Sequence, residues 1–141
     1  MTLHETSTRR GFALSVAIAF VASGVINTVI CLVAVALGAN AGVVLGLNPP
    51  FFLSFALIGL LVAAVAWSLV RSRARRPDAV MRVLVPVVVL VSLVPDLLVG
   101  ISGLGWTGAF ALMLMHLAVA ACGVAALRRF LPLTPRAAAV A

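Results

Sequence analysis

Lysine is absent from this 141-residue chain, and acids are almost absent: Glu5, Asp78 and Asp96 are the only three. Charged residues make up 9% of the sequence and hydrophobic ones 65%, whereas a soluble domain carries about 25% charged residues. The shortage excludes a water-exposed globular surface, so the apolar residues are read as a lipid-facing exterior and not as a large core. Cysteine is also scarce. Cys31 and Cys122 form no CxxC pair, which excludes a quinone-linked thiol oxidoreductase. Their expected depths differ by roughly 15–20 Å, beyond disulfide reach. Only His116 lies within an apolar run, since His4 precedes the first one; a haem site would want two facing histidines. There is no glycine-rich phosphate loop, no HExxH and no GxSxG. No cofactor and no metal site is expected.

What is present is arginine and long apolar runs. Ten arginines give a net charge of +7. They sit in short flanks between apolar stretches, where anionic lipid headgroups are fitting partners and nucleic acid is not. The stretches run over about Gly11–Leu37, Phe51–Val70, Ala79–Ile101 and Trp106–Leu127. Each meets the roughly 20 apolar residues that a helical span needs. A run of that length in lipid satisfies its own backbone hydrogen bonds only as a helix. The fold class expected is therefore all-α, a single four-transmembrane-helix bundle over residues 1–141.

Arginine placement gives the bundle a direction. Arg9 and Arg10 precede the first span; Arg71, Arg73, Arg75, Arg76 and Arg82 lie between the second and third; Arg128, Arg129 and Arg136 follow the fourth. The other two connections carry no charge. The positive-inside rule then puts both termini in the cytoplasm and the chain, multi-pass, in the plasma membrane. Ser7-Thr8-Arg9-Arg10-Gly11-Phe12 resembles a twin-arginine export signal, but the apolar run after it far exceeds the 7–15 residues of a signal core. A retained first helix is expected, and a frayed tail after Pro135.

Residues Gly38–Pro50 form a Gly/Asn-rich loop closed by two prolines, whose apolar middle (Val43, Val44, Leu45) suits a dip back into the membrane. Ser102–Gly105 is a tight turn that makes the third and fourth spans neighbours. Trp106 and Trp67 are placed at the two interfaces.

Asp96 is the most informative residue, because a carboxyl group inside a span costs at least a few kcal/mol and is a functional hypothesis by default. Pro95 precedes it, cannot donate to the carbonyl of Val91, and predicts a bend there. His116 lies ten residues after Trp106, or roughly 15 Å deep at 1.5 Å per residue. The two depths differ by about two helical turns, so contact needs the bend, a tilt or a water. Asn27 is expected at about the depth of Asp96. It belongs to a stripe of small and polar residues (Ala17, Ser23, Gly24, Asn27, Cys31, Ala34, Gly38) that is assigned to the interior. On the second span Ala56, Gly59, Ala63 and Ala66 form the packing stripe. Phe51 and Phe55 are candidates for the mouth of an apolar pocket, and Asn48 for its lid. Ser92 and Met113 complete the candidate lining, although Met113 and Met115 also suit plain core filling.

The run Asn48-Pro49-Pro50-Phe51-Phe52-Leu53-Ser54-Phe55, with Asp96 and Met115-His116, resembles a domain-of-unknown-function family of small four-helix integral membrane proteins from high-GC actinobacteria. The resemblance covers nearly the whole chain. It implies the four-span architecture and brings no assigned activity.

The site expected is an outer-leaflet polar cavity that binds a small lipophilic molecule. In an enzymatic version Asp96 is general acid or base, His116 the second proton-transfer group, and Asn27 the orienting residue. Isomerisation, hydration or cyclisation suits such a site. The alternatives are a proton-coupled transporter or channel-like homo-oligomer, and a non-catalytic assembly subunit whose polar residues only fix helix packing.

Overall fold

The computed structural model describes residues 3–133, with side chains from residue 9 onward. The tail expected to fray after Pro135 lies outside the described residues. Among the described residues there are five α-helices, α1 Leu3–Ala36, α2 Pro49–Arg73, α3 Pro77–Ser92, α4 Val94–Ile101 and α5 Trp106–Phe130, and a short 3-10 turn over Leu45–Leu47. No strand occurs among the described residues. α3 and α4 together make one apolar run, so four helices are long and apolar enough to cross a membrane: Arg9–Ala36, Pro49–Arg73, Pro77–Ile101 and Trp106–Phe130.

The ends of these helices follow from proline and glycine. Pro49, Pro77 and Pro95 stand in the first turns of α2, α3 and α4, where a missing N–H costs nothing. α1 runs without a proline and ends at Gly38, whose φ of 93° permits a closing pair of bonds. The Gly38 N–H donates to the Val35 carbonyl at 3.0 Å and the Ala39 N–H to the Ala34 carbonyl at 2.9 Å, which satisfies carbonyls the helix end would leave bare. Between α4 and α5, Gly103 and Gly105 take φ of 83° and 111°, so the turn needs glycine at both positions.

α1 and α5 run antiparallel along the most extensive contact of the bundle. A row of small residues on α1 makes this possible: Gly11, Ser15, Ala19, Ser23, Asn27 and Cys31 are all buried at a strict spacing of four. Only part of the stripe read from the sequence is in that row. Ala17 is exposed and Gly38 lies in the loop. On α2 the buried row is Phe52, Ala56, Leu60, Ala64 and Trp67, so Gly59 and Ala63 are exposed instead of packed. Gly24 and Ala34 of that stripe are buried beside the row, so on both helices the interior is the set of residues that faces a neighbouring helix, whatever their size.

Three clusters hold the bundle. At the arginine-rich end Trp67, Met81, Leu127 and Leu131 meet Phe12 and Val16. Trp67 is 2% exposed and its Nε1 donates to the Leu131 carbonyl at 2.8 Å. It is thus a core residue that ties the chain after α5, not an interfacial anchor. Ala19, Leu60 and Ala126 fill the middle. At the arginine-free end the 38–48 loop folds back onto the bundle, burying Val44 and Leu47 among Cys31, Ala34, Phe52, Leu112 and Met115. Val43 and Leu45 point outward, so the loop covers the bundle through Val44 and, one 3-10 turn on, Leu47. Trp106 is 49% exposed at this end, as expected for an interfacial aromatic.

Candidate functional site

Where a bend was expected at Pro95, the helix is interrupted over a single residue. The α-helix stops at Ser92 and restarts at Val94, with Leu93 between them. The Leu93 N–H is shared between the carbonyls of Val89 (3.2 Å) and Leu90 (3.3 Å). Two residues further on, Pro95 has no N–H to continue the ladder. The break turns α4 against α5, where the two remain in contact along α4. Gly100 seats that contact: a Cβ on it would come within 2.6 Å of the Trp106 ring.

Asp96 sits in the first turn of this short helix and is 5% exposed. Its Oδ2 lies 2.7 Å from Nδ1 of His116. The two-turn mismatch in depth read from the sequence does not keep the two apart: they touch directly, with no need for a bridging water. The contact is an ion pair by distance; the ring N–H is not aligned on Oδ2 as a hydrogen bond. The same Nδ1 is also 3.2 Å from the Leu112 carbonyl on its own helix, so this nitrogen faces two acceptors. The histidine side chain is 43% exposed, against 7% for the aspartate. The carboxylate is the inner member of the pair and the imidazole the outer one. With Nδ1 turned to the acid, Nε2 is the nitrogen left for any further partner. The Asp96–His116 contact is the sole acid–base ion pair among the described residues.

Asn27 is 1% exposed, and its Oδ1 has no hydrogen-bond partner. Its level follows from the α1–α5 register. Gly11 abuts the Phe130 carbonyl, and Ser15 Oγ lies 3.5 Å from the Ala126 carbonyl. Carried up both helices, this register sets Asn27 opposite Leu114, about 3 Å in rise from His116.

The other candidate residues do not gather around this pair. Asn48 donates from Nδ2 to the Ala41 carbonyl at 2.7 Å, so it braces its own loop instead of forming a lid. Phe51 and Phe55 are 43% and 69% exposed and point outward; Phe52 between them is the buried one. Ser92 Oγ donates to the Val89 carbonyl at 2.7 Å, one turn back on α3. Met113 is half-buried, while its neighbour Met115 belongs to the core. Where a polar cavity was expected, Asp96 and His116 touch directly. An open concavity lies elsewhere, between α2 and α3 at the arginine-rich end. Cys31 donates from Sγ to the Leu47 carbonyl at 2.9 Å, a latch on the loop that spacing in the sequence did not signal.

Fold and site together define a class: a small, all-helical, multi-pass membrane protein with one acid–histidine pair among its spanning helices. Within that class the chain belongs to the family of unknown function DUF6069, whose model matches residues 7–132. No curated protein and no solved structure matches it.

Proposed function

We propose that the protein binds a small lipophilic molecule in the arginine-free half of the membrane, with His116 as the residue that meets the ligand's polar group. The observation that carries this reading is the division of exposure within the pair. Asp96 is enclosed behind the ring, and His116 is open on its far side. A carboxylate behind Nδ1 favours the tautomer with its proton on that nitrogen, and leaves Nε2 to exchange a proton with whatever meets it. In this reading Asp96 is a positioning residue and His116 the proton-transfer group, the reverse of the order expected from burial alone. The chemistry open to such a pair is proton transfer to and from a bound lipophile: isomerisation, hydration or cyclisation.

The same pair supports a second reading, a non-catalytic subunit. A half-exposed imidazole on the outside of a spanning helix is also a hydrogen-bonding group for a helix of another chain. Both readings keep the arginine-rich end, with both termini, in the cytoplasm, and the protein in the plasma membrane.

Native mass spectrometry of the full chain, purified from detergent after exposure to a membrane lipid extract, separates them. Ligand binding predicts a retained small-molecule adduct that His116→Ala removes and Asp96→Asn weakens, with helical content unchanged by circular dichroism. An adduct indifferent to both changes sinks the ligand reading. Loss of oligomers or partners without loss of any adduct favours the subunit.

A further inference from the structure

At the arginine-rich end, far from Asp96 and His116, the chain turns from α2 into α3 through Ala74, Arg75 and Arg76. An open concavity of about 260 Å³ lies there, lined by Arg75, Arg76, Pro77, Asp78, Ala79 and Arg82. Three guanidiniums and one carboxylate border it. Asp78 is the only acid nearby, yet among the described residues no arginine lies within ion-pair distance of a carboxylate. The concavity is thus a net positive surface whose charges have not been spent on each other.

What continues from the concavity along α3 narrows the choice of partner. Ala79, Val83, Pro86 and Leu90 follow one another at helical spacing beside Arg82, and all are exposed. Val83 and Leu90 are each 65% exposed. The opposite side of α3, through Met81, Leu84 and Val85, packs into the bundle. One ligand shape fits both features: an anionic head at the concavity, and apolar chains lying along the bare α3 face.

We propose that this concavity binds the phosphate headgroup of an anionic phospholipid, with the acyl chains laid against Val83, Pro86 and Leu90. Planar guanidiniums recognise phosphate oxygens in pairs, which a point charge does not. Asp78 weakens the site and favours heads of low negative charge, since a second phosphate would meet its carboxylate. The proposal is independent of the Asp96–His116 reading, and either can fail alone.

The test is native mass spectrometry of the full chain in detergent, titrated with dioleoyl phosphatidylglycerol or dioleoyl phosphatidylcholine. Selective retention of the phosphatidylglycerol is expected. Arg76→Gln and Arg82→Gln should each lower its occupancy roughly fivefold, and Asp78→Asn should raise it. Arg128→Gln and Arg129→Gln remove the same charge from the same end outside the concavity, and should leave binding unchanged. Equal loss in these controls overturns the site in favour of diffuse attraction. Inorganic phosphate and glycerol 3-phosphate form the competing arms; displacement of the lipid by either at millimolar concentration overturns the lipid and leaves a free-phosphate site. Equal retention of the phosphatidylcholine overturns the proposal altogether.

Discussion

Deleting Asp96 and deleting His116 are not equivalent changes. His116→Ala leaves a carboxyl group enclosed with no basic neighbour, while Asp96→Ala leaves a half-exposed imidazole that can still lean on the Leu112 carbonyl. The single change at His116 is therefore expected to be the more destabilising of the two. A double-mutant cycle isolates the pair itself, with an expected coupling of about 0.5–2 kcal/mol, the range for polar contacts between membrane helices. The lower half of that range is favoured because the imidazole is 43% exposed and the bond is poorly aligned. Reversible unfolding of the four proteins in mixed micelles measures it; zero coupling would mean that the short distance carries no energy. At this scale the presence of both residues was legible in the sequence, and so was the bend beside Asp96. Their contact was not, because depth counted along straight helices cannot register a break at Leu93.

The elements are held by close approach more than by bulk. At Gly11 a Cβ would lie 2.6 Å from the Phe130 carbonyl oxygen, and at Gly59 it would meet nothing within 4 Å. Gly11→Ala is thus expected to push α1 from the end of α5 and destabilise the bundle by about 1–3 kcal/mol. Backbone must move to admit the methyl group, so no side chain can relieve it. Gly59→Ala is expected to be neutral or to stabilise by up to about 1 kcal/mol through helix propensity. The same micelle unfolding curves check both, and a Gly11→Ala protein as stable as the parent would contradict the packing described for α1 and α5. Nothing in the order of residues tells these two glycines apart. A helix apolar on all sides carries little periodic mark of its inner face, so a stripe of small residues is visible on more than one face. On α2 the stripe read from Ala56, Gly59, Ala63 and Ala66 shares only Ala56 with the buried row.

At the scale of the molecule, arginine crowds one end and is missing from the other. The start of α1 and the end of α5 meet at the arginine-rich end, through Gly11 and Phe130. The orientation proposed above puts that end on the cytoplasmic side, by the positive-inside rule. A C-terminal fusion to green fluorescent protein is expected to fluoresce, and one to alkaline phosphatase to be inactive. A fusion to the phosphatase within residues 38–48 should be active. The opposite pattern would invert the orientation and put the Asp96–His116 pair in the cytoplasmic half.

Composition and order along the chain determined how many membrane-length apolar helical runs there are, roughly where each lies, and which end carries the charge. These are one-dimensional properties: hydropathy sets span length, proline and glycine set the breaks, and arginine sets the ends. Tertiary structure alone decided which row of each helix is inside, that Trp67 is core and Asn48 a loop brace, and that Asp96 reaches His116. The physical reason is that lipid, unlike water, does not sort helix faces by polarity. The inward face is chosen by which surfaces fit closely, and fit depends on pairs of residues distant in the chain. The lack of water-soluble surface therefore identified the setting of this protein, but only the packed bundle made a pair of its two most informative side chains.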